Sequence, residues 1–116
     1  VTGIQTCALP IYVSDLIAAH VDALSHLRRG GAGGVFNCGY GRGYSVLKVI
    51  KAIEKAHGAP IPVARAPRRQ GDAAAIVAGA DRVRDILGWR PRHDDLDEIV
   101  ASALSWERRL VQRNAA

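Results

Sequence analysis

Arg68-Arg69-Gln70-Gly71-Asp72 is the stretch whose residue types and spacing suit a charged ligand best. An arginine fork matches a diphosphate bidentately, and a carboxylate can accept both hydroxyls of a ribose. Three residues of chain span up to about 10 Å, the reach from a pyrophosphate to its ribose, and Gly71 lets the backbone turn between them. The same five residues also read as a solvated polar loop.

Gly39-Tyr40-Gly41-Arg42-Gly43 is a second loop with a chemical possibility. A dinucleotide fingerprint has its third glycine at the position of Tyr44 here, and an acid about 20 residues later at a strand end. Glu54 falls in the middle of a helical pattern instead, so the expectation is a strand-to-helix turn that uses glycine's permissive φ. Asn37 is read as a turn-stabilising side chain. His20 is expected to pack in the core, and His26, His57 and His93 show no metal-ligand spacing. Asp94, Asp95, Asp97 and Glu98 suit a helix N-terminus, and Glu107 is read as pairing with a nearby arginine. No Ser-His-Asp order or catalytic carboxylate pair can be argued. The expectation for this chain is no catalytic, cofactor-binding or metal-ligating residue of its own.

The elements that position these loops are short. Ser14 is expected to cap a helix to about Arg29, with Asp15 in its first turn and Leu16, Ile17, His20, Val21, Leu24 and Leu27 on one face. After the break at Gly30–Gly34, Val35–Cys38 is a buried-strand candidate. Ser45 caps a second helix that carries Val46, Val49, Ile50 and Ile53 inward and stops at Gly58. Ile61–Ala64 reads as an edge strand, because Pro62 cannot donate to a ladder. Asp81 is expected to cap a short helix that Gly88 stops. Asp95 and Glu98 have capping-box spacing before a last helix with Leu96, Ile99, Val100, Ala103 and Leu110 inward. Trp89 and Trp106 are read as core anchors.

Composition bounds the function classes. With 48% hydrophobic and 23% charged residues the 116-residue chain is of globular type, not disordered or collagenous. No apolar run approaches the ~20 residues a membrane span needs, and no signal peptide opens the chain. Two cysteines are too few for a disulfide framework or a zinc site, so a reducing cytoplasm is expected. The net charge is +5, but the six aromatics are not interleaved with the arginines, and no nucleic-acid partner is expected. Methionine is absent, which together with the aperiodic, proline-cut stretch 1–11 predicts a fragment with a non-native leader of adaptor type.

Taken in order, four groups of residues carry a family resemblance. They are Val13-Ser14-Asp15-Leu16 with Ala19-His20-Val21; Phe36-Asn37-x-Gly39-x-Gly41-x-Gly43-x-Ser45-Val46; Ala66-Pro67-Arg68-Arg69-x-Gly71-Asp72; and Leu87-Gly88-Trp89. Over residues 12 to about 110 the chain resembles the C-terminal third of bacterial UDP-glucose 4-epimerases, of the extended short-chain dehydrogenase/reductase family. The resemblance implies an α/β fold, mostly helical with short strands. Residues 12–116 would be the substrate-binding C-terminal region of a Rossmann-fold enzyme, its first helix and Val35–Cys38 padding the Rossmann sheet.

The family oxidises the sugar's C4 hydroxyl by hydride transfer to NAD, lets the 4-keto sugar rotate, and returns the hydride to the other face. Its NAD fingerprint and Tyr-x-x-x-Lys pair do not occur here, so the chain alone is expected to be inactive. By resemblance Arg69 binds the nucleotide diphosphate, Asp72 holds the uridine ribose, and Ile76 lines the sugar pocket. The implied partners are a UDP-sugar and, for the intact enzyme, a second copy in a homodimer, with no membrane. Two departures stand out. Ala8-Leu9-Pro10-Ile11-Tyr12-Val13 replaces the family's Arg-Asp-Tyr-Ile-His-Val, losing a diphosphate-binding arginine, and Gly79 follows Ala78 where an aspartate is common. A related UDP-sugar epimerase or dehydratase, or a free-standing basic helical interaction module, are the alternatives.

Overall fold

The computed structural model describes residues 7, 8, 10–67, 70, 71 and 75–115. The elements run β1 (Cys7–Ala8), α1 (Val13–Arg28), β2 (Tyr44–Ser45), α2 (Val46–His57), α3 (Asp81–Leu87) and α4 (Leu96–Asn114). The β1 and β2 strands pair antiparallel, Cys7 with Ser45 and Ala8 with Tyr44, so part of the expected leader lies against the glycine loop's exit.

Local capping rules explain four of the eight helix ends. The Ser45 hydroxyl accepts from the Lys48 amide at 3.2 Å, and the Asp95 carboxylate accepts from the Glu98 amide at 3.0 Å. Glu98 does not complete a capping box, because its carboxylate is taken by His93 Nδ1 at 2.7 Å. Gly58 and Gly88 end α2 and α3 in the left-handed region, φ 86° and 73°, where a side chain would be strained. Two expected caps fail. Tyr12 and not Ser14 precedes α1, and Ala80 and not Asp81 precedes α3, neither with a side-chain cap.

Two apolar clusters form. Ala19, Tyr40, Ala80, Val83, Leu87 and Trp89 bury themselves between α1 and α3, with Phe36, Cys38 and Ile99 packed alongside. Tyr44, Ala52, Leu96 and Val100 form the second between α2 and α4. The α1 stripe is not in either. Ile17, Val21, Leu24 and Leu27 are each more than half exposed, His20 is exposed with its Nδ1 2.8 Å from the Leu16 carbonyl, and Asp15 and Ala19 face inward instead. Neither Val35–Cys38 nor Ile61–Ala64 forms a strand, since neither has a ladder partner among the described residues. Trp89 is 1% exposed but Trp106 is 54% exposed, so one tryptophan of the two anchors the core.

The shape is an open slab of 51 × 44 × 21 Å with a radius of gyration of 17.5 Å. A closed domain of this length has about 13 Å.

Candidate functional site

The loop that carries the diphosphate- and ribose-type residues is a strap between two anchors. Its first anchor is Ile61, half-buried, whose amide donates to Glu54 Oε1 at 3.2 Å. Glu54 thus holds the strap's start. The second anchor is Ala78, half-buried, followed by Ala80 at 2% exposure. Between them every described residue is exposed: 62–67, 70, 71 and 75–77. Gly71 sits in a turn at φ 91°, the conformation that its lack of a side chain permits. Ile76 is 51% exposed. Arg68, Arg69 and Asp72 lie outside the described residues.

Beneath the second anchor lies the glycine loop. A Cβ added at Gly39 would come 2.7 Å from the Ala78 Cβ, closer than carbon atoms pack. The space that a missing side chain leaves at Gly39 is therefore filled by the protein itself. Tyr44 stands where a dinucleotide fingerprint has its third glycine. Gly41 adopts φ 74°, and the Arg84 guanidinium reaches the Tyr40 carbonyl at 3.4 Å.

The loop is held in turn by Asp15, which sequence reasoning places only in the first turn of a helix and in the first group of the family resemblance. Its carboxylate is 2% exposed and accepts three hydrogen bonds: from the Tyr40 hydroxyl at 2.8 Å, the Arg92 amide at 2.9 Å and the His93 amide at 3.0 Å. Its backbone carbonyl accepts from the Trp89 indole at 2.9 Å. Burial pushes the Asp15 carboxyl up, but the Arg92 amide, the Tyr40 hydroxyl, the His93 amide and the His93 ring outweigh it, and the group lies below its ordinary value. Burial, with the neighbouring Asp15 charge, pushes Tyr40 up to about 12. Burial and Asp15 also raise the Cys38 thiol, which disfavours the reactive thiolate. A signal for this arrangement is present in the sequence: Asp15, Ala19 and Ala23, four apart, form a small-residue face of the kind that lets another segment approach closely.

A cleft of about 400 Å³ between α2 and α4 is lined by charges, several of them paired with one another. Arg42 pairs with Asp94 at 2.8 Å and donates to the Tyr44 hydroxyl at 3.0 Å, and Lys55 pairs with Asp97. Such solvent-exposed pairs are screened and add little to stability. The acidic run 94–98 is thus divided among a salt bridge, a cap, a second salt bridge and a histidine contact.

Among the described residues no helix is long and apolar enough to cross a membrane, and no group of three or more histidine, cysteine or carboxylate side chains could hold a metal.

No family model matches the chain. Individual proteins do. It is 59% identical over 102 residues to a UDP-glucose 4-epimerase of Azospirillum brasilense, covering 88% of this chain and 29% of that one. A UDP-glucose 4-epimerase of Lacticaseibacillus casei is 41% identical, with 83% and 29% covered. Among solved structures, the UDP-Glc/GlcNAc 4-epimerase of Campylobacter jejuni superposes with TM-score 0.83 at 39% identity, over 90% of this chain and 32% of that one. The UDP-glucose 4-epimerase of Bifidobacterium longum, solved in complex with NAD+ and UDP, gives TM-score 0.79 at 43% identity, over 90% and 31%. The chain spans about 30% of the length of the relatives it matches. By sequence and by fold, then, it is homologous to the C-terminal part of the UDP-glucose 4-epimerases, which are extended short-chain dehydrogenase/reductase enzymes.

Proposed function

We propose that residues 12–116 are the UDP-sugar-binding region of an NAD-dependent UDP-glucose 4-epimerase, which interconverts UDP-glucose and UDP-galactose through a 4-keto intermediate. The 59% identity to the Azospirillum brasilense enzyme over 88% of the chain carries this reading. It leaves little room for a free-standing basic module. In it Arg69 forks onto the diphosphate, Asp72 accepts from the uridine ribose, and Ile76 lines the sugar pocket. NAD belongs to the part of the enzyme outside this chain, since the complete dinucleotide fingerprint does not occur in it. The exposed α1 stripe supports the reading too, as the face that the Rossmann lobe would cover. The intact enzyme is read as cytoplasmic and homodimeric.

The test is made on the full-length protein that carries this segment. Formation of UDP-glucose from UDP-galactose with NAD bound is the expected activity. Arg69→Ala should remove a charge-assisted bidentate contact of about 1.5–3 kcal/mol, roughly ten- to a hundredfold in UDP affinity. Asp72→Asn should cost less, and little with an analogue lacking the ribose hydroxyls. Equal UDP affinity for wild type and Arg69→Ala would return the loop to a solvated surface strap. UDP-GlcNAc is the second substrate to assay, because the Campylobacter jejuni structure is of a UDP-Glc/GlcNAc 4-epimerase.

A further inference from the structure

Ile76 stands two residues before Ala78 in backbone without regular structure, so at most about 7 Å of chain separates it from the strap's second anchor. Val77, the residue between them, is itself exposed and gives the strap no further hold. Where Ala78 rests therefore limits where Ile76 can stand. Ala78 rests on Gly39, at a separation that admits no side chain there. Gly39 is buried, and its φ lies outside the left-handed region, so the backbone at this position would accept alanine without strain. The demand for glycine comes from the contact alone. The Asp15–Tyr40 hydrogen bond fixes the loop on the other side of that contact, so the loop resists being pushed away.

We infer that Gly39 is a positioning residue for the sugar end of the binding strap: the contact of its bare backbone with Ala78 limits the depth at which Ile76 meets the sugar. This rests on the proposed function. An added methyl at 39 has one short, inflexible neighbour to displace. Moving from 2.7 Å to an ordinary carbon–carbon contact requires a shift of about 1 Å. Because the strap is exposed and the glycine loop is tied down, the strap is the side that moves.

The experiment compares wild type, Gly39→Ala, and the double variant Gly39→Ala/Ala78→Gly in the full-length enzyme with its NAD. Binding of UDP-glucose and of UDP is measured by calorimetry, beside the thermal midpoint. Gly39→Ala should weaken UDP-glucose about tenfold, inside the hundredfold that a 1 Å misplacement can cost, while UDP changes less than about threefold. The double variant moves the methyl to the other side of the same contact and should bring UDP-glucose back to within about threefold of wild type. Equal losses for UDP and UDP-glucose, or no loss, would overturn the inference while leaving the proposed function standing. Wild type that takes up neither ligand would overturn both. Should Gly39→Ala fail to fold, the double variant decides alone: near-wild-type discrimination between the two ligands supports the inference, and its loss defeats it.

Discussion

The Tyr40 hydroxyl donates to the Asp15 carboxylate at 2.8 Å and so joins the glycine loop to the first turn of α1. It also accepts from the Tyr12 amide at 2.9 Å. Tyr40→Phe would leave a buried carboxylate short of one donor and a backbone amide without its acceptor. The expected loss is about 1–3 kcal/mol in urea unfolding of the chain. A second signature follows from the raised phenol. A folded value of about 12 against an ordinary 10 means that its contribution is whole below pH 10 and lost as pH rises towards 12. Tyr40→Phe should flatten that alkaline limb.

Asp15 gives the opposite limb. Its folded value lies below the ordinary 3.8, so its stabilisation is complete above that pH and fades as pH falls through the lower folded value. Acid unfolding followed by circular dichroism should therefore steepen below pH 3.8, and Asp15→Asn should weaken that dependence. At neutral pH Asp15→Asn should itself cost about 1–3 kcal/mol, since an amide offers fewer acceptor sites to the same three donors.

The two tryptophans should separate cleanly in solution. Trp89→Ala empties a core site and breaks the indole bond to Asp15, for a loss of about 3–5 kcal/mol. Trp106→Ala should cost under about 1 kcal/mol, typical of an exposed position. Acrylamide quenching distinguishes them without unfolding: the fluorescence of Trp89→Phe is readily quenched, and that of Trp106→Phe is protected.

Removing residues 1–9 tests the expected leader. A two-residue antiparallel ladder is marginal by itself, so the loss of the β1 pairing should cost less than about 1 kcal/mol. Extending the truncation through residue 11 should cost more, because Ile11 packs against the cluster around Trp89. Equal midpoints for the two truncations would show that Ile11 contributes nothing.

An NAD titration of the 116-residue chain should be flat, because Tyr44 replaces the fingerprint's third glycine and no acid follows at a strand end among the described residues. Saturable micromolar binding would contradict that reading of the glycine loop.

The features legible in the sequence are those decided within one or two helical turns. Ser45, Asp95, Gly58 and Gly88 each end a helix for reasons that a few neighbouring residues contain. What the sequence hides are matters of partnership. Periodicity identifies the α1 apolar face as a face, but periodicity cannot say what covers it. Val35–Cys38 has strand-forming residues, yet a strand exists only with a second one beside it. Asp15 looks like a surface carboxylate because its donors come from 25, 77 and 78 residues away. Of the candidate site, the residue types of the strap and the turn at Gly71 are legible, while the anchors at Glu54 and Gly39 emerge only from the packing.

The half-exposed row of Ile17, Val21, Leu24 and Leu27 has a consequence for handling the chain by itself. A continuous oily ridge this long in water makes the molecule sticky, and excluded salts such as sulfate sharpen that tendency. Yield on concentration would fall with rising ammonium sulfate, and a dye that brightens on apolar surfaces should light up on the native chain before any heating. Replacing Val21 and Leu24 with glutamate should quiet both responses without touching the buried face at Asp15 and Ala19.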